Sequence, residues 1–165
     1  MQIKKSIALA TTLAVSFAFA PTQLAAQAPI ASGFASISQP GGLRTFSFTA
    51  VKLKDGSIKG QTELHVRSRG ARFHSTISSM FVDPAGNLWL AGPVTQSTAP
   101  ATAPPAVGNT AFILLRRKNG VVQVSLMSFA PPTLSTAAAI AAVFGTPPER
   151  IFLPPALING HLTLN

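Results

Sequence analysis

The stretch IKGQTELHVR, residues 58–67, sets Ile58, Gly60, Thr62, Leu64 and Val66 on one side of an extended chain and Lys59, Gln61, Glu63, His65 and Arg67 on the other. Successive side chains of a strand point to opposite faces, whereas a helix would mix these two sets. The same rhythm recurs in runs cut by Asp, Gly, Asn and Pro. It predicts six strands, at about 43–53, 58–67, 72–82, 87–95, 110–117 and 121–129. GFASIS, residues 33–38, offers another, and residues 157–165 a closing one.

Alternation also predicts which residues face each other, because both partners of a hairpin must turn their apolar sides the same way. Phe46 and Phe48 join Leu64 on one face if the first turn is the three residues Lys54, Asp55 and Gly56, with Gly56 in the left-handed conformation. VRSRGARF is expected to pair Val66 with Phe73 and Leu64 with Ser75 around Arg69 and Gly70. VDPAGNLWL is expected to set Phe81 opposite Leu88 and Ser79 opposite Leu90, and Asn119 with Gly120 makes a two-residue turn.

Two segments break the pattern. QSTAPATAPPAV, residues 96–107, carries three prolines and no bulky apolar residue, so it predicts a loop. After Pro131 and Pro132, TLSTAAAIAAVFG predicts one short helix with Ser135 as its cap and Gly145 as its stop. The expected fold is therefore all-β, an antiparallel meander closed as a small barrel or a two-layer sandwich, with one short C-terminal helix. Closure or stacking is what hides the sheet edges.

At the N-terminus, Lys4 and Lys5 precede an apolar and small-residue stretch at 7–20, the layout of a secretory signal peptide. Its 14 residues fall short of the roughly 20 that span a bilayer as a helix. Residues 1–26 are expected to be removed, with the mature start between 19 and 29, leaving one β domain over 27–165 that works outside the cytoplasm, secreted or periplasmic, and does not span the membrane. Losing Lys4 and Lys5 takes the basic residues from 13 to 11 against four acids, a formal +7 that favours anionic glycans or lipid head groups. Without cysteine there is no disulfide framework, thiolate metal site or lipid-bearing anchor. One Trp and no Tyr offer no stacking run for nucleic acid.

LRTFSFTAVKLKDGSIKGQTEL (43–64), RFHSTISSMFV (72–82), WLAGPVT (89–95) and INGHLTLN (158–165) resemble a group of small exported bacterial β proteins of uncharacterised function. The resemblance covers most of the chain after residue 26 and implies a shared β fold. Relatives in that group often carry a cysteine near the position of Ser79 and another near the C-terminus, and both are missing here. The resemblance brings no catalytic residue with it.

Three candidate sites follow from the residues. With Val66 opposite Phe73, His65 falls opposite His74 with Glu63 beside them, a set that could hold Zn²⁺ or Cu²⁺ for a metal-binding protein or a metal-dependent hydrolase. Against it stand Arg67 and Arg72 next door, and a solvated polar face explains the same residues. Lys52, Lys54 and Lys59 around the first hairpin, with Arg116, Arg117 and Lys118 at the end of the fifth strand, form a candidate anion-binding rim; the plainer role for such cations is to deter edge-to-edge pairing. Phe46, Phe48, Phe73, Ile77, Leu88 and Leu90 turned into a barrel could hold a small apolar ligand or simply fill the core. Asp55 and Asp83 belong to turns, Glu63 and Glu149 lie far apart, and no G-x-S-x-G elbow occurs. The expectation is an exported, non-enzymatic binding or envelope-associated protein with no cofactor.

Overall fold

A computed structural model describes residues 30–39, 42–99, 105–147, 151–153 and 158–165. The expected signal peptide, residues 1–26, lies outside these residues. The described chain forms ten strands: β1 Ala31–Gln39, β2 Gly42–Lys52, β3 Ile58–Val66, β4 Ala71–Ile77, β5 Ser79–Val82, β6 Leu88–Ser97, β7 Thr110–Lys118, β8 Val121–Val124, β9 Ser128–Ala130 and β10 Ile158–Leu164. One helix, α1, covers Ala137–Phe144.

All pairings between these strands are antiparallel, in the order β10-β1-β2-β3-β4-β6-β7-β8, with β5 also on β6 and β9 also on β7. The sheet curls into a nearly closed barrel, so the barrel and not the sandwich is the closure adopted. One side-chain bond reaches from the β7–β8 end of this order to the β10 end. Arg117 on β7 donates to the carbonyl of Leu164 on β10. Beyond α1, Phe152 bridges to Ser125, and the Leu153 amide donates to Val124 at 2.9 Å.

Inside the barrel, Ile37, Phe46, Phe48, Leu64, Phe73, Ile77, Leu88, Leu90, Ile113 and Leu115 belong to one continuous buried cluster. Each side chain of this kind stabilises the fold by about 1.5–3 kcal/mol through removal from water. A second core lies outside the barrel wall. On β6 and β7 both faces are apolar, so Trp89, Ala91, Phe112 and Leu114 point outward and need a cover, which Ala137, Ile140 and Ala141 of α1 supply. The helix starts at Thr136, whose hydroxyl accepts from the Ala139 amide at 3.2 Å, one residue past the expected Ser135, and ends at Gly145 as expected.

The β2–β3 turn has the expected three residues: the Leu53 amide donates to Ser57 at 2.8 Å, and Gly56 adopts φ +83°. The β7–β8 turn is Asn119–Gly120, with both residues at positive φ. Two other registers differ from expectation. Across β3–β4, Leu64 faces Phe73 and Val66 faces Ala71, because the turn is the four residues 67–70, with a single 3-10 turn over Arg67–Arg69. This shift of two keeps the buried faces but changes every partner.

Across β5–β6, Phe81 faces Trp89 and Ser79 faces Ala91, a shift of one that reverses the faces. The expected strand over 72–82 breaks at Ser78, where Gly92 lets the chain cross so closely that an added Cβ would lie 1.9 Å from the Thr76 oxygen. The break resets the alternation. Ile77 and Met80 pack on the barrel core, whereas Phe81 packs on the helix-covered one. Ser79 then faces outward, and its hydroxyl accepts from the Ala137 amide at the start of α1 at 2.9 Å. The expected strand over 121–129 also splits, into β8 and β9. Gln96 and Ser97, expected in the proline-rich loop, extend β6 and pair with His74 and Phe73.

Candidate functional site

The outward face of β10, β1, β2, β3 and β4 carries the candidate site. Register aligns its residues in rows that cross the sheet. One row runs His161, Phe34, Ser47, Glu63, His74 and Gln96. On one side of it lie Thr163, Ser32, Thr49, Gln61 and Thr76, and on the other Ser36, Thr45, His65 and Arg72. The inward partners of the same strands are the barrel core, so this polar field rests on a packed, rigid base.

Phe34 stands out in the field, an aromatic ring 59% exposed among hydroxyl, amide, imidazole and carboxylate groups. A shallow depression lies on each side of it. The first, of about 290 Å³, is bordered by Ser47, Gln61, Glu63, His74 and His161. The second, of about 350 Å³, is bordered by Ser36, Thr45, His65, Arg67 and Arg72.

The proposed metal ligands are distributed differently from the expectation. His74 faces Glu63, with 3.5 Å between Nε2 and Oε2, whereas His65 faces Arg72. The expected His65–His74 pairing is not made, because the four-residue turn moves β4 by two positions along β3. Among the described residues no three His, Asp or Glu side chains gather closely enough to hold a metal ion. The two acids placed in turns act there. Asp55 accepts from the Ser57 amide and hydroxyl at 2.9 and 2.6 Å, and these donors hold its carboxyl below the usual range.

The six basic rim residues come from two turns at one end of the barrel. Arg117 reaches Leu164, which pairs with Ala31, which in turn pairs with Ala50 beside the turn that carries Lys52, Lys54 and Lys59. Lys118 adjoins Arg117 on β7. Arg116 stacks on Phe152, with 3.9 Å from guanidinium carbon to ring centre, and its Nε donates to Gln123 at 2.7 Å. The six apolar residues assigned to the interior, Phe46, Phe48, Phe73, Ile77, Leu88 and Leu90, are all buried in the barrel cluster.

Sequence reasoning missed Phe34 and His161 as members of the outward field. They meet only through the pairing of β1 with β10, which are far apart in the chain. It also missed the second core, although the runs LWLA and AFILL, apolar at both parities, signal strands covered on both faces. Among the described residues no helix is long and apolar enough to cross a membrane. The chain matches no family model, no curated protein and no solved structure.

Proposed function

We propose that this is an exported, non-catalytic binding protein, akin to small exported bacterial β proteins, and that the outward face of β1–β4 takes an acidic glycan. The observation that carries the reading is Phe34, exposed within a polar field and lining one depression together with Arg67 and Arg72. An aromatic ring offers a flat apolar surface to the C–H face of a sugar ring. Side chains of Ser47, Gln61 and Glu63 around it can exchange hydrogen bonds with hydroxyls. Guanidinium groups match carboxylate or sulfate oxygens in a planar, two-point geometry. The excess of basic residues draws such polyanions toward the surface.

Calorimetric titration with an oligogalacturonate, a neutral galactan and vesicles containing anionic phospholipid tests the reading. The acidic oligosaccharide is expected to bind. Phe34→Ala weakens it about three- to tenfold, and Arg72→Gln weakens it and flattens its salt dependence. Binding to the vesicles alone assigns the face to lipid head groups. Affinity for the oligosaccharide unchanged by both substitutions removes this face as the site.

A further inference from the structure

The two depressions beside Phe34 differ in charge. Both are bordered by Phe34, Ser47 and Glu63, which lie in one row across β1, β2 and β3. The second adds Arg67 and Arg72. The first adds Gln61, His74 and His161, and among the described residues that line it there is no arginine or lysine. Arg67 and Arg72 are exposed. The bonds between Arg72 and Thr98 use the arginine's backbone, whose amide donates to the threonine hydroxyl at 2.8 Å and whose carbonyl accepts from the threonine amide at 3.0 Å. Its guanidinium is left for a ligand.

Glu63 sets the boundary between them. Its Oε2 lies 3.5 Å from Nε2 of His74, a residue that borders the first depression. A ligand carboxylate in the first depression meets this like charge with no guanidinium to offset it, and like charges at close range repel. In the second depression the same group meets two guanidiniums, which take carboxylate oxygens in a two-point geometry. What the first depression offers is hydrogen bonding: the Gln61 carboxamide donates and accepts, the Ser47 hydroxyl does both, and Glu63 accepts. That set fits hydroxyls and an acetamido group. Rows on one sheet face repeat about every 7 Å, twice the rise per residue. Consecutive units of one chain crossing Phe34 therefore reach both depressions. We propose that this face selects a glycan in which acidic and uncharged units alternate, a hexuronate at Arg67 and Arg72 and its N-acetylated neighbour at Gln61 and Glu63. The selection rests on the acidic-glycan reading above and adds Glu63 as the residue that rejects a second acid.

Calorimetric titration of the intact protein with a tetrasaccharide alternating glucuronate and N-acetylglucosamine, and with a galacturonate tetramer, tests the proposal. The galacturonate tetramer carries twice the carboxylates, so attraction by net charge alone favours it. The alternating tetramer is expected to bind about three- to tenfold more tightly, because it places no acid against Glu63. Glu63 is 41% exposed, and Glu63→Gln keeps its shape while removing its charge. This variant is expected to raise the affinity of the galacturonate tetramer to about that of the alternating one, whose own affinity stays within about twofold of wild type. Equal affinities in the wild type, or a tighter galacturonate tetramer, overturn the selection and leave the acidic-glycan reading in place. A preference for the alternating tetramer that survives Glu63→Gln overturns the role of Glu63. Binding of neither tetramer overturns both the selection and the reading beneath it.

Discussion

The indole N–H of Trp89 donates to the Asp83 carboxylate at 3.0 Å, so the residue that closes the β5–β6 turn also fixes the ring at the base of the helix-covered core. The same carboxylate accepts from the amides of Ala85 and Asn87 and from the Asn87 side chain. Turn, ring and second core are thereby one unit.

That unit is sensitive to acid. Burial pushes the Asp83 carboxyl up, but the donors from Trp89, Asn87 and Ala85 outweigh it and hold the group below its usual value of 3.8. A carboxyl with a depressed folded value stabilises the fold above the unfolded value, and that contribution disappears as pH falls through the folded one. Trp89 is the chain's single tryptophan. Its emission is expected to shift to the red as pH drops below about 4. Asp83→Asn shows the shift at neutral pH and lowers stability by about 1–2 kcal/mol. Wild-type emission and stability in that variant would detach the carboxylate from the ring.

Two glycines are expected to respond differently to a methyl group. At Gly86, φ +81°, an added Cβ meets nothing within 4 Å, so Gly86→Ala costs only the left-handed backbone penalty, about 1–2 kcal/mol. At Gly92 the Cβ meets the backbone oxygen of Thr76, and Gly92→Ala is expected to cost about 3 kcal/mol or more. Urea unfolding of both variants checks the order; equal losses would contradict the close crossing at the strand break.

Helix α1 has eight residues, too few to persist in water by itself. Its contacts through Ile140 hold it, and Ile140 is fully buried. Ile140→Ala is expected to lower stability by about 2–5 kcal/mol. Quenching by iodide then reports greater access to Trp89, and unaltered access would place the cover elsewhere.

The Arg117 bond to Leu164 crosses the near-closure of the barrel. Arg117→Gln is expected to cost only about 1 kcal/mol. Its mark is local: amide exchange over residues 158–165 accelerates, while exchange over β2 and β3 stays as it was. Uniform acceleration, or none, would show that the bond does not hold β10.

Within the first hairpin, one alternating run and one turn glycine carry both the faces and the register, and the structure agrees with them. The β3–β4 hairpin shows where such reading stops. Strand pairings shifted by two bury the same side chains, so alternation cannot choose between His74 facing His65 and His74 facing Glu63. The choice belongs to the turn over 67–70. At β5, a break at Ser78 reverses the alternation, and only the crossing at Gly92 in space explains it. Of the polar field, the β2 and β3 outward residues are legible in the sequence, whereas Phe34 and His161 join it through a pairing between chain ends.

By itself, the sequence determined that the chain is built of antiparallel strands with one short helix and which side chains of β2, β3 and β4 leave water. These are local consequences of a two-residue period and of turn chemistry. Only the tertiary structure decided that the sheet curls into a nearly closed barrel, that α1 covers Trp89 and Phe112, and that Phe34 stands in a row with Ser47, Glu63 and His161. Each of these depends on contacts between residues distant in the chain, and the energy of such contacts has no local signature.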